Sequence, residues 1–414
     1  MNIEACRAQF PALNQVIEDK LPIFFDGPGG SHPTQKVLDA MVGYLSTASA
    51  NLGGAFFSSR QTEKTMLNAR EAAKDLYHAK DSNEIVFGAN ATSLSFMMSR
   101  ALSKTWQPGD EIIVTAIDHY SNVSPWMIEA EKIGVIVHQV RVNEVDCTLD
   151  FEHLSCLINK NTKLFACTYA SNATGSIVDV KTAIELVKSK SSALSYIDAV
   201  HVAPHGLIDV QALNCDFLVT SAYKYFGPHL GVLYSKAQHL EDLQPDKVEP
   251  AKDINPNRWE IGTQNYEAMA GLSAAVDYIG SLADNDAKSR REKLEIAYQN
   301  ITKHELDLSR LFLEKISSYP QIELFGITDE SRISERTPTF AFVVQGIDPR
   351  KISEFFGGHN VCIWDGHFYA QGLINQLKLM ESGGVIRVGF MHYNTSDEIE
   401  KFFTLLDEML EKYS

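Results

Sequence analysis

Apolar and polar positions along this 414-residue chain follow two rhythms. Through the first half, short apolar runs recur: EIVF (84–87), EIIVTA (111–116), VIVHQVRV (135–142), KLFACTYA (163–170), LSYIDA (194–199), DFLVTS (216–221) and GVLYS (231–235). Helical stretches fall between most of them, such as SLSFMMSRAL after the first. Strand–helix–strand repetition predicts a mainly parallel sheet with helices on both faces. GVLYS follows its neighbour too closely for a crossover helix, so it is either antiparallel or beside a different strand. From about Ala268 to Tyr319 the pattern turns charged and helical, and DNDAKSRREKLEIAYQN reads as a linking helix. Beyond it FAFVVQ (340–345), VCIW (361–364) and VIRVGF (385–390) each have a helix nearby, which predicts an α+β unit with a smaller sheet.

The length exceeds the usual ceiling for one hydrophobic core, so two domains are expected. The fold class is α/β: a large domain over 21–274 with a mainly parallel sheet, and a smaller C-terminal α+β domain over 275–414. Residues 1–20 are expected to pack on the small domain. Hydrophobic residues at 44% and charged residues at 22% are ordinary for a folded soluble protein. The net charge of −16 gives no attraction to nucleic acid or to an anionic membrane and reads as solubility, with room left for a local basic pocket that takes a small anion.

Six cysteines (Cys6, Cys147, Cys156, Cys167, Cys215 and Cys362) include no C-x-x-C pair, and most sit in apolar runs. Reduced thiols in a reducing compartment fit that pattern better than a disulfide framework. The start, MNIEACRAQF, lacks a basic segment followed by an apolar one. No apolar run approaches the roughly 18 residues that span a membrane. The expectation is a cytoplasmic enzyme.

Five segments carry candidate chemistry. Lys224, in SAYKYFGP, follows the apolar run DFLVT. Desolvation at a buried strand end favours the neutral amine, which is the nucleophile that condenses with an aldehyde. Gly227-Pro228 makes a rigid turn that fixes where the lysine points. An ordinary surface lysine satisfies the same local pattern. Asp198 ends the run LSYID, and ligands of open α/β sheets bind at that edge. Beside a pyridine nitrogen such a carboxylate holds the ring protonated. His201, three residues on, is within reach of a ring hydroxyl. A metal site of Asp198, His201 and His205 is the rival, but Pro204 keeps the two histidines off one helical face and H-E-x-x-H is absent.

GANATS (88–93) lies between a strand and an apolar helix, where free N–H groups and the helix dipole favour a phosphate; a plain helix cap looks the same. The chain has no G-x-x-x-x-G-K-[ST], G-x-G-x-x-G or G-x-S-x-G. His119 in DHYSN is able to stack on a planar ring or to be a satisfied loop histidine. Arg387 inside VIRVGF needs a partner, either a substrate carboxylate or a structural acid.

The order and type of these five segments together resemble the class V aminotransferase family of fold-type-I pyridoxal-phosphate enzymes, and within it the SUF-type cysteine desulfurase-like branch. The resemblance runs from about Phe24 to Asn394. FFDGPGG is similar to the family's first strand and loop, GANATS to its phosphate cradle and DHYSNVSPW to its ring-stacking histidine segment. YASNATGSIVDV resembles its asparagine loop, IDAVHVAPH its pyridinium aspartate segment and TSAYKYFGP its Schiff-base lysine segment. RWEIGTQN resembles a segment that reaches a neighbouring subunit's phosphate, and IRVGFMHYNT the carboxylate-binding arginine segment.

The resemblance implies a seven-stranded large sheet, pyridoxal 5'-phosphate as cofactor, no metal, and a homodimer with shared active sites. It implies that Lys224 holds the cofactor as a Schiff base and shuttles protons, that Asp198 pairs with the pyridine nitrogen and that His119 stacks on the ring. Asn172 and His201 would contact the ring hydroxyl. Ala91, Thr92, Ser221 and Tyr223 would bind phosphate, with Thr263 from the partner chain. Arg387 would clamp the substrate carboxylate.

Three positions depart from the family's desulfurases. Tyr369, in GHFYA, stands where they carry the sulfur-accepting cysteine, and a phenol cannot form a persulfide. Tyr223 precedes the lysine where they usually have histidine. Trp364 stands where they usually have arginine, which implies a more apolar substrate pocket. The expected activity is a desulfurase-like or C–S lyase reaction on a small amino acid without a persulfide relay. A class V aminotransferase or epimerase is the alternative. A catalytically silent scaffold is the third reading, though a scaffold needs none of Lys224, Asp198, His119 and Arg387.

Overall fold

A computed structural model describes residues 1–283 and 287–413. Its strands in chain order are β1 (Ile23–Phe24), β2 (Ile85–Gly88), β3 (Glu111–Thr115), β4 (Ile136–Val140), β5 (Thr162–Thr168), β6 (Leu194–Asp198), β7 (Phe217–Ser221), β8 (Gly231–Ser235), β9 (Ile322–Phe325), β10 (Thr339–Val344), β11 (Val361–Cys362), β12 (Trp364–Gly366) and β13 (Val385–Gly389). Seven form one sheet in the order β2-β8-β7-β6-β5-β3-β4. The run β7-β6-β5-β3-β4 is parallel throughout. β8 is antiparallel to both its neighbours, β2 and β7. Both halves of the expectation for GVLYS therefore meet in one strand. The 222–230 connection carries only a single 3-10 turn, too short to return the chain for a parallel strand.

Helices cover both faces. On one, Gln35–Thr47, Phe57–Tyr77 and Tyr266–Gly280 pack together over a core that includes Tyr77, Leu218 and Met269. On the other, Leu94 and Met98 of the helix Ala91–Ser103 pack with the buried Trp126 and Trp259. The smaller sheet is antiparallel, β12-β13-β10-β9, and packs Phe340 and Phe342 against Phe312, Phe402 and Leu406.

The structure corrects three sequence expectations. The helical stretch from Ala268 to Tyr319 is two helices, Tyr266–Gly280 and Arg290–Ile316. Ser289 caps the second with Glu292 in a reciprocal capping box, which marks a helix start inside the run expected to be one linker. Positions 284–286 of the DNDAKSRREKLEIAYQN segment lie outside the described residues. VCIW is not one strand, because Val361–Cys362 pairs in parallel with β1 while Trp364 begins β12. IELF (322–325), which no apolar run announced, forms the edge strand β9.

The first residues tie the two parts together. Phe10 lies edge-on to Phe226, Tyr278 and Tyr393, and Arg7 pairs with Glu398 at 2.8 Å. Among the described residues no helix is long and apolar enough to cross a membrane.

Candidate active site

The carboxyl ends of the parallel strands set the site. Thr168, Asp198 and Val219 stand in register on β5, β6 and β7. The chain leaving each strand therefore delivers Asn172, His201 and Lys224 to one edge, as open α/β sheets do. Asp198 is buried and accepts the Val200 N–H at 2.9 Å. Burial pushes its carboxyl up to about 6, against the pull of Lys224. Lys224 donates to Pro28 O at 2.5 Å and Gly29 O at 3.0 Å, and its Nζ lies 4.8 Å from the Tyr223 ring centroid. Desolvation and then the Arg387 charge pull its amine down to about 7; Asp198 and Asp26 oppose them.

A consequence can be read on the protein before any turnover. Because the amine's value is lowered, the neutral nucleophilic form dominates above about pH 7. The rate at which an aromatic aldehyde condenses with the cofactor-free protein is expected to rise from pH 6 to pH 8 and then level, more than about three units below the range of an ordinary lysine. Stopped-flow absorbance measures it.

The next turn back is equally constrained. Asp118, fully buried, accepts from the Thr115 hydroxyl and from Asn122 Nδ2 at 2.8 Å, and Asn122 Oδ1 accepts the Trp126 indole N–H at 3.0 Å. That chain fixes the turn that presents His119. His119 Nδ1 accepts the Ser121 N–H at 3.1 Å, so a neutral ring carries its proton on Nε2. Burial, with Lys224 and Arg387 nearby, lowers the imidazole to about 4 and keeps it neutral. Its ring is 5.2 Å from that of Tyr369, tilted by 34°.

Arg387 reaches the site from β13. It is buried, donates to Asn172 O at 2.8 Å and lies 4.1 Å over the Phe368 ring. Its Nε and the Oδ1 of Asn172 are buried without partners, polar atoms that a ligand would satisfy. Burial lowers the guanidinium to about 9, opposed by Asp26. The loop Gly366–Ala370 is pinned across the mouth. Asn172 Nδ2 donates to Phe368 O at 2.9 Å, and Tyr120 N–H donates to Tyr369 O at 2.8 Å. Tyr369 is 66% exposed and Trp364 50%, so both face the opening.

The structure brings Lys224, Asp198, His119, Asn172 and Arg387 to one place. Ala91 begins its helix with its N–H on the Ser221 hydroxyl at 3.0 Å, and Thr92 is exposed in the same first turn. His201 is buried with Nε2 3.1 Å from the hydroxyls of both Thr337 and Thr339. Tyr223 stacks on His229 at 4.9 Å. Thr263 is not part of the group around Lys224. It is exposed and lines a second cleft of about 490 Å³ with Gly88, Ala89 and Ser93. That cleft and the one beside Tyr223 and Trp364, of about 540 Å³, both border His229 and Asn265.

Sequence reasoning missed Asp26. Its Oδ1 is buried and unpartnered, and burial pushes the carboxyl to about 6 despite Arg387 and Lys224. A carboxylate directly after the apolar run PIFF is the same signal that singled out Asp198. The thiols nearest these groups are held protonated: burial raises Cys362, near Asp26, to about 11 and pushes Cys167, near Asp118 and Asp198, well up, while Cys147 and Cys215 are raised to about 12 and Cys156 is exposed on the surface. Among the described residues no three His, Cys, Asp or Glu side chains are grouped to hold a metal ion.

The family model described as Aminotransferase class-V matches residues 23–402. The chain is 32% identical to "Aminotransferase-like protein FGM3" of Gibberella zeae, over 99% of this chain and 98% of that protein. It is 27% identical to a "Probable cysteine desulfurase" of Synechocystis sp., over 99% and 96%. The crystal structure of the cysteine desulfurase CsdA from Escherichia coli superposes with a TM-score of 0.86 at 25% identity, covering the whole of both chains.

Proposed function

The chain belongs to the class-V aminotransferase family, and on that premise we propose that it is a pyridoxal-phosphate-dependent enzyme that cleaves a C–S bond in a small amino acid by β-elimination, without relaying sulfur as a persulfide. Its fold is the fold-type-I fold, with a mixed, mostly parallel seven-stranded sheet and a smaller antiparallel sheet. The observation that carries the reading is the desolvated Lys224 amine set beside Asp198 and opposite the buried Arg387.

The cofactor, when bound, supplies a protonated ring that takes up the electron pair left on the substrate's α-carbon. The protein supplies the rest. Lys224 would hold the cofactor aldehyde and move the proton at Cα. Asp198 would keep a proton on the ring nitrogen, and the neutral His119 would lie on the ring face. Asn172, whose Oδ1 awaits a partner, and His201 would meet the ring hydroxyl. Ala91, Thr92, Ser221 and Tyr223 would hold the phosphate, with Thr263 of a second copy. Arg387 would take the carboxylate, and Trp364 and Tyr369 would border the side chain.

Tyr369 occupies the pinned loop where a thiolate would be required for persulfide formation. Cys362, the nearest cysteine in sequence, is held protonated by burial beside Asp26, which supports elimination over relay. A homodimer is part of the proposal. Val42, Leu45, Phe56 and Phe57 stand exposed on and beside neighbouring helices, an apolar surface of the kind partners cover. Transamination is the second reading, favoured by the aminotransferase-like relative.

The test is the product set from the cofactor-loaded protein and a panel of amino acids that includes L-cysteine. Elimination gives sulfide, pyruvate and ammonia in equal amounts. Alanine with sulfide would overturn the argument from Tyr369. A keto acid with the cofactor left in its amine form would establish the second reading.

A further inference from the structure

A chamber that the chemistry above does not use shares Thr337 with His201. His205 sits on the turn after β6, and its ring lies 5.6 Å from that of His201, nearly edge-on. His205 and Glu305, from the helix Arg290–Ile316, have side chains only 4% exposed. His205 Nδ1–H donates to Glu305 Oε2 at 2.9 Å. The far atoms of both groups, His205 Nε2 and Glu305 Oε1, are buried with no partner in the protein. Leaving a buried polar atom unpaired is costly, so two in one pair call for a further partner.

His205 and Glu305 line a cavity with Thr302, Ser309 and Arg336; its volume of about 110 Å³ has room for about three water molecules. Arg336 does not meet the need. Its N–H groups donate to the carbonyls of Ile327, Thr174, Thr337 and Thr339. Thr302 and Leu306 border both this cavity and an open groove along the same helix, which gives water a way in.

We propose that the chamber is an internal hydration site, and that Glu305 is a positioning residue for the cofactor pocket. Ordered water joins His205 Nε2 to Glu305 Oε1. The hydrated pair locks the His205 ring, and that ring buttresses His201, whose other contacts are the Thr337 and Thr339 hydroxyls on the strand side. The positioning half rests on the reading that His201 meets the cofactor; the hydration half does not.

Two measurements decide it. A crystal structure of the whole chain is expected to show water within hydrogen-bond distance of both His205 Nε2 and Glu305 Oε1. An empty chamber, or a protein group on Nε2, overturns the proposal whether or not the cofactor binds. In solution, Glu305→Leu is expected to weaken pyridoxal-phosphate binding about tenfold, the low end of what removing an outer partner costs at a metal-binding histidine, and to shift the bound cofactor's visible absorbance. Glu305→Gln, which keeps the shape and an acceptor, is expected to restore both. Wild-type affinity and spectrum in Glu305→Leu overturn the positioning role. Failure of the unaltered protein to bind the cofactor would instead sink the functional reading, and would leave the water to be judged by diffraction.

Discussion

Lys224→Ala is expected to abolish covalent loading with pyridoxal phosphate and to lower turnover by at least about 10⁴-fold, the scale of losing a covalent nucleophile. The amine is the group that burial holds near neutrality, and among the described residues it is the lysine whose charge acts on Asp198. Structurally the change is mild. It removes two hydrogen bonds to the Gly27-Pro28-Gly29 turn and leaves β7 intact. Lys224→Arg is expected to lose loading as well, since a guanidinium keeps the charge but is not deprotonated and does not condense with an aldehyde. Loss of loading with full activity retained would remove Lys224 from the chemistry. Mass spectrometry of the intact protein and the product assay read the two effects separately.

Arg387→Ala is expected to lower kcat/KM by about 30-fold to several thousand-fold, the equivalent of roughly 2–5 kcal/mol for a buried charge that pairs with a carboxylate. The loss is expected mainly in KM, because the carboxylate is gripped in ground state and transition state alike. The specific sign is in a substrate analogue lacking the carboxylate, which the variant should process no worse than the unaltered protein. An equal loss for both compounds would mean that Arg387 serves structure, holding Asn172 O and offsetting the Asp26 carboxylate. Arg387→Lys is expected to recover only part of the activity, since an ammonium cannot form the planar double hydrogen bond.

The large fold is legible because its strands other than the edge strand β4 are largely buried and read as continuous apolar runs. β9 escapes that logic. It is a sheet edge whose residues are largely half-buried or exposed, so its alternation is weak. VCIW hides a change of sheet inside four residues, and only the pairing with Ile23–Phe24 reveals it. The two-helix nature of 266–316 was written in the Ser289–Glu292 capping box, a signal outweighed by the run of charged helix formers around it.

In the site, Lys224, Asp198 and Arg387 stand out because each puts a charge at or inside an apolar strand, where it needs a partner. Asp26 has that signature too, but its run is short and the glycines and proline after it read as a turn. Its neighbours Arg387 and Lys224 come from remote parts of the chain, which no local pattern reports. The His205–Glu305 pair is hidden for the same reason, one partner on a turn of the large sheet and the other on a distant helix.

The most direct measurement is borohydride reduction of the protein loaded with pyridoxal phosphate, followed by peptide mass spectrometry. The expected result is one reduced cofactor per chain on the peptide that contains SAYKYFGP, fixed at Lys224. An unmodified Lys224, or label spread over surface lysines, would contradict the account at its centre.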